Sequence, residues 1–148
     1  MQAAGARVVG QLSSTLHYGD HATGLGLFGG IWDQMWTPEI LGDRPVDSVS
    51  AAIALEASGE PARRAIEGRP YFSYRGCISN PHWLQILKAM VRKGIDLGLD
   101  GFNTTHNYEG FCGCGYCADT IRAHMTSIFG NAELHSLFDG DFDGTADV

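Results

Sequence analysis

The sequence predicts an α/β domain with parallel strands. Three observations predict it: candidate strands and helices alternate along the chain, many of its 20 glycines sit between short apolar runs, and a polar cluster follows each candidate strand. In folds of this kind the working groups lie on loops after the carboxyl ends of the strands, so those clusters would share one face.

The first element is Arg7-Val8-Val9-Gly10-Gln11-Leu12, a short strand within an apolar stretch from Ala6 to Ser13 that reads as buried. A polar loop follows from Ser13 to Gly24. It carries an H-x-x-D-H group, His17, Asp20 and His21, read either as solvated loop residues or as polar groups at the mouth of a site or in a second metal site. Gly24 to Ile31, GLGLFGGI, lacks the spacing and the strand-turn-helix setting of a phosphate loop. In WDQMWTPEILG, Trp32 and Trp36 are candidates for stacking on sugar faces, with a core or rim position as the alternative. Thr37-Pro38-Glu39 has the form of a helix start, Thr as N-cap and Pro at the first helical position. Val46, Val49, Ile53 and Ala57 repeat at three to four, which predicts a helix from Pro45 to Ala57, with Ala62 to Ile66 adding a turn.

The aromatic run Arg69-Pro70-Tyr71-Phe72-Ser73-Tyr74-Arg75, bounded by Pro70 and Gly76, is the second strand. Ser79-Asn80-Pro81 then opens the clearest helix of the chain, with Ser79 or Asn80 as its cap. Its apolar stripe is Trp83, Leu84, Leu87, Met90, Val91 and Ile95, with Trp83 expected in the core, while Gln85, Lys88, Arg92 and Lys93 face outward. Gly98 to Thr105 is the third strand. A last helix, Ala118 to Ile128, places Ile121, Met125 and Ile128 on one face.

Composition narrows the function. The chain has 148 residues, 44% of them apolar, and a net charge of −7 with no basic cluster to neutralise phosphates, so nucleic acid is not an expected partner. Nor is a membrane, because no apolar run approaches the roughly 18 to 20 residues that cross a bilayer. The opening MQAAGARVVGQLSS lacks the basic start and apolar middle of a signal peptide, so the expected location is the cytoplasm.

The densest chemistry lies in HNYEGFCGCGYC, residues 106–117. Cys112, Cys114 and Cys117 form C-x-C-x-x-C, and Cys77 follows the preceding strand, so parallel neighbours would bring all four thiols together. Four thiolates from two loops make a closed tetrahedral zinc site, which is structural because no position is left for water. Disulfides, an iron–sulfur cluster and unliganded thiols remain the alternatives; disulfides fit poorly, since cysteines at i and i+2 are hard to bridge. Glu109 sits after the third strand among His106, Asn107 and aromatic residues. A carboxylate in such surroundings has its pKa raised and can act as a general acid, the alternative being a solvated loop glutamate. The tail Asp139-x-Asp141-x-Asp143-Gly144-x-x-Asp147 matches the first nine positions of a calcium loop, so Ca2+ is a second candidate cofactor beside a plain acidic loop.

The run from Arg69 through Met125 resembles the family 42 β-galactosidases and related clan A glycoside hydrolases. The resemblance rests on the cysteine after one strand, Asn80-Pro81 opening the next helix, a glutamate after the following strand, then C-x-C-x-x-C and a helix carrying Ile121-Arg122. It implies a TIM barrel of eight strands, of which this chain would be a truncated part holding about three. It also implies zinc on Cys77, Cys112, Cys114 and Cys117, and Glu109 as acid/base. Asn107, His106 and Asn103 would then contact the sugar, with Trp32 and Trp36 as stacking platforms. The family's order is Asn-Glu-Tyr-Gly, whereas here it is Asn107-Tyr108-Glu109-Gly110. A retaining glycosidase needs a second carboxylate about 5 Å from the first, carried in that clan by a later strand. The expected activity is thus that of a hydrolase fragment acting on or binding carbohydrate. The alternative is a non-catalytic zinc-stapled carbohydrate-binding or structural module. A carbohydrate is the expected partner, with a homo-oligomer left open.

Overall fold

The computed structural model describes residues 5–20, 23, 25–26, 38–41, 43, 49–105 and 112–137. His21, most of the glycine-rich run 24–31, Trp32, Trp36, His106, Asn107, Glu109 and the acidic tail from Asp139 lie outside these residues.

The described strands are β1 (Val9–Ser13), β2 (Leu16–Asp20), β3 (Leu25–Gly26), β4 (Arg63–Ala65), β5 (Phe72–Arg75) and β6 (Gly101–Thr105). The helices are α1 (Pro38–Leu41), α2 (Pro81–Asp96), α3 (Gly115–Phe129) and α4 (Asn131–Leu137). They form a mixed α/β structure with two sheets. β1 and β6 pair in parallel, from Val9 opposite Gly101 to Ser13 opposite Thr105. The other sheet has the order β3-β2-β5-β4, and each of its pairings is antiparallel.

Antiparallel pairing corrects the expectation of an all-parallel sheet, and the described strands do not form a partial TIM barrel. The chain bends at Ser14 and Thr15, where the Leu16 amide donates to Ser13 Oγ at 3.0 Å, and continues as a second strand where a loop was expected. β2 is polar because an antiparallel sheet needs only one apolar face; Tyr18 is half exposed while Thr15 at its entrance is buried. The turn also joins the sheets, since Ser14 N–H donates to the Thr105 carbonyl at 2.9 Å and Gly76 N–H to the Thr15 carbonyl at 2.6 Å. The carboxyl ends of β1, β5 and β6 therefore meet at Ser14 and Thr15, although they belong to different sheets.

Of the helix expected over Pro45 to Ala57, residues 45–48 lie outside the described ones and the rest is a second correction. A 3-10 turn covers Val49–Ala52, and beyond it the chain is extended, with bridges from Ile53 to Gly76 and from Leu55 to Pro61. Ala52, Ile53 and Ala54 are buried in succession, which a one-sided helix cannot achieve but a strand-like segment packed on both faces can. Ser58-Gly59 then closes a hairpin, Gly59 taking φ +83°, a conformation that favours glycine. The returning segment is strand β4, not the extra helical turn expected from Ala62 to Ile66. The first strand differs as well: Leu12 is buried, but Val9 is 57% exposed.

α2 begins as its sequence predicts. Pro81 takes the first position and the Asn80 side chain accepts from the His82 amide at 2.9 Å, satisfying one of the free amide donors of the first turn. Its buried residues are Trp83, Ile86, Ala89 and Gly94, so the inward face is rotated from the expected stripe, and Leu84 and Ile95 are exposed. Trp83 is the centre of the main core, packed with Ala52, Ile53, Tyr74, Ile86 and Ala89. Burying an indole removes about 150–250 Å² from water, a contribution of about 4–6 kcal/mol. Its Nε1–H is satisfied by the Ser14 carbonyl at 2.8 Å, so the ring also fixes the turn where the strands meet. α3 has no fully buried residue, and Ile121 and Ile128, expected on a packed face, are 56% and 57% exposed.

Candidate metal centre

The second core cluster is built from small residues: Ala54, Ala62, Cys77 and Cys114, with Leu55, Cys112 and Cys117 packed against it. Three segments deliver it. β5 ends at Arg75, and the turn after it carries Cys77, whose carbonyl accepts from the Asn80 amide at 2.9 Å. Cys114 is the N-cap of α3 and Cys117 lies in its first turn, with Cys112 just before. The hairpin 53–62 lies beneath both. Its Ala54 N–H donates to the Arg75 carbonyl at 2.7 Å, Cys77 N–H donates to the Ala52 carbonyl at 3.3 Å, and Gly113 N–H donates to the Leu55 carbonyl at 2.9 Å.

The four sulfurs all lie within 4.8 Å of one another. Cys77 Sγ is 3.4 Å from Cys117 Sγ and 3.5 Å from Cys114 Sγ. All four cysteines are free, and these separations far exceed the about 2.05 Å of a disulfide. They approach the edge of a tetrahedron with metal–sulfur bonds of about 2.3 Å, which is about 3.8 Å. The group is thus close enough to hold a metal ion, and it is the one such group of His, Cys, Asp or Glu among the described residues.

The thiols sit in unequal electrostatic settings. Burial pushes the Cys77 thiol far up, and the neighbouring sulfurs of Cys117 and Cys114 push it further. Burial also leaves Cys114 above its ordinary value. Cys112 is held below its ordinary value: burial opposes ionisation there, but the backbone amides of Cys114 and Leu55 outweigh it by stabilising the thiolate. A buried group of thiols that can lose its protons only at a cost is one that a dication stabilises strongly, because the metal replaces the protons.

The other candidates are distributed differently. Asn103 lies in β6 opposite Gln11 and is exposed. His17 is not at the metal cluster: its Nε2–H donates to the Ser13 carbonyl at 2.6 Å and its ring meets Trp83 edge-on at 5.3 Å, so it supports the core. Cys77 reaches the other cysteines through the hairpin 53–62 and not through a parallel neighbour strand. Sequence reasoning missed that hairpin, and with it Leu55. The available signal was Ser58-Gly59 followed by Pro61, which interrupts the helical period.

Beside Cys114 a shallow cavity of about 390 Å³ opens between the hairpin and the first turn of α3, with Ile53 and Leu55 on one side and Tyr116 and Asp119 on the other. No helix among the described residues is long and apolar enough to cross a membrane. Compared with protein-family models, curated proteins and solved structures, the chain matches none.

Proposed function

We propose that the four cysteines bind one zinc ion as a closed structural centre, which staples the Cys77 turn and the start of α3 over the hairpin 53–62. The observation that carries this reading is the convergence of all four sulfurs within 4.8 Å, in a cluster whose other buried residues are alanines. Zinc suits an all-sulfur tetrahedral set, and four-cysteine sites of this kind contribute directly to folding. Elemental analysis of the protein purified under reducing conditions tests the proposal. About one zinc per chain is expected, and Cys112→Ser should lose it and lower the unfolding midpoint. A metal-free protein whose stability is indifferent to a chelator would overturn it.

A second, catalytic reading is favoured by one observation. Residues 106–111 connect Thr105, whose carbonyl is bonded to Ser14 at 2.9 Å, to Cys112 in the cluster, so both ends of the segment carrying Glu109 are anchored. On the resemblance to the clan A glycoside hydrolases, Glu109 would be the acid/base, with carbohydrate as substrate and His106, Asn107 and Asn103 beside it. The test is hydrolysis of an aryl β-galactoside by the protein of the complete reading frame. Glu109→Gln should lower kcat by about 100-fold or more with zinc content unchanged. If there is no hydrolysis, or if it persists in Glu109→Gln, the non-catalytic stapled module replaces this reading.

A further inference from the structure

We propose that the cysteine cluster is also a peroxide-responsive switch, in which Cys117 and Cys77 close into a disulfide and release the metal. This rests on the zinc-staple reading. Two sulfur pairs at 3.5 Å or less share Cys77, at 3.4 Å to Cys117 and 3.5 Å to Cys114. Exposure then separates them: Cys77 and Cys114 are 3% and 7% exposed, whereas Cys112 and Cys117 are partly open to solvent. A small oxidant from solvent meets Cys112 or Cys117 first, and of these Cys117 makes the 3.4 Å approach to the buried Cys77.

The chemistry balances with hydrogen peroxide as the named oxidant. The Cys117 thiolate attacks one peroxide oxygen; an S–O bond forms, the O–O bond breaks, and hydroxide leaves. The Cys77 thiolate then attacks the sulfenic sulfur; the S–S bond forms, the S–O bond breaks, and a second hydroxide leaves. Two thiolates lose two electrons to the peroxide, and two protons from solvent convert the hydroxides to water. Only Cys112 and Cys114 remain as ligands, too few to hold zinc in a closed site.

The structural consequence is selective. The new bond joins residues 40 apart, so the Cys77 turn stays tied to the first turn of α3. Cys112 is what comes free, and with it the anchored end of residues 106–111. Oxidation therefore keeps the Cys77 turn tied to α3 and releases Cys112 without dismantling the Trp83 core.

The experiment uses the full chain loaded with zinc and freed of reductant. Zinc content is measured before any oxidant is added; absence of zinc there counts against the staple itself and so against the switch. Hydrogen peroxide is then titrated while released zinc is read with a chromophoric chelator, free thiols are counted, and peptides are mapped by mass spectrometry. Full zinc release is expected as two of the four thiols disappear, with a peptide linked through Cys77 and Cys117, reversed by dithiothreitol and added zinc. Cys117→Ser should lose that linked peptide; if this variant does not fold, the parent's peptide map decides alone. A zinc ion retained under excess peroxide overturns the switch, as does a bond between Cys114 and Cys117, or oxidation to sulfinic acid without a crosslink.

Discussion

Asn80 is the residue through which the core and the metal centre are most directly joined, and Asn80→Ala measures that junction. The side chain is 2% exposed and fully used: Oδ1 accepts from the His82 amide at 2.9 Å, and Nδ2 donates to the Ala51 carbonyl at 2.6 Å. Losing the cap costs about 1 kcal/mol. Losing the donor leaves the Ala51 carbonyl, in the 3-10 turn, without that bond in a partly buried setting, which costs about 1–3 kcal/mol. Together the loss is about 2–4 kcal/mol, a Tm decrease of about 5–15 °C for a chain of this size. Urea unfolding of the zinc-loaded protein, followed by tryptophan fluorescence, reads it as a lower midpoint at unchanged slope. Asn80→Ser separates the two parts, because serine can still cap the helix but cannot reach Ala51. It should recover the cap's share of about 1 kcal/mol. If Asn80→Ala stays within about 0.5 kcal/mol of the parent, the ordinary range for a surface change, the junction has been misread.

Three further outcomes are expected. A Cβ at Gly76 would fall on the Trp83 indole, which is held by its bond to Ser14, so Gly76→Ala should cost about 3 kcal/mol in the same urea assay; a change below about 0.5 kcal/mol would mean that the ring is free to move. In the metal-free protein the raised thiols of Cys77 and Cys114 stabilise the fold only while protonated. Their contribution is whole below the ordinary thiol value of about 8.5 and fades as pH rises above it, while the lowered Cys112 works in the opposite sense. Burial of Cys77 gives the larger effect, so the Tm of the metal-free protein should fall from pH 8 to pH 10, measured by scanning fluorimetry, and that of the zinc-loaded protein should not follow it. Chelation should remove hydrogen-exchange protection from residues 53–62 and 112–118 before it touches α2; equal loss in α2 would show that the two clusters unfold as one.

What the sequence revealed depends on how local the determining physics is. The start of α2 was legible to within a residue, because Ser79-Asn80-Pro81 marks a boundary with two possible caps of which Asn80 is the one used, and Trp83 was legible as core because an indole on an apolar stripe has few other places to go. β5 and β6 were legible from composition. The cluster of four cysteines was legible as a set, since three are adjacent in sequence and thiols at these spacings have few alternatives to a shared ligand. The route by which Cys77 arrives was not. It depends on the hairpin 53–62 and on the turn at Ser13 to Leu16, and both are decided by hydrogen bonds to distant partners, Arg75, Thr105 and Gly76, that no local period encodes. Val46, Val49, Ile53 and Ala57 imitate a helical repeat, yet burial of Ala52, Ile53 and Ala54 on both faces selects the extended form.

The two clusters also differ in what sustains them, and this explains why the metal matters. The Trp83 cluster contains an indole, a phenol and isoleucines, enough apolar area to hold α2 to β5 without help. The cluster around Cys77 buries alanines and thiols, each contributing a small fraction of what a leucine would, and α3 brings no fully buried side chain to compensate. Left to hydrophobic burial, the first turn of α3 would rest on the Gly113–Leu55 bond and the edge contact of Tyr116 with His82, at 6.4 Å between ring centres. Four ligand bonds to one dication replace the missing area with a cross-link that carries direction as well as strength, and they act where the chain leaves 106–111 for α3. Under this reading the cysteines are spaced to hold a segment in register, so enlarging the local core, for example by Ala62→Val, should not restore what removal of the metal takes away.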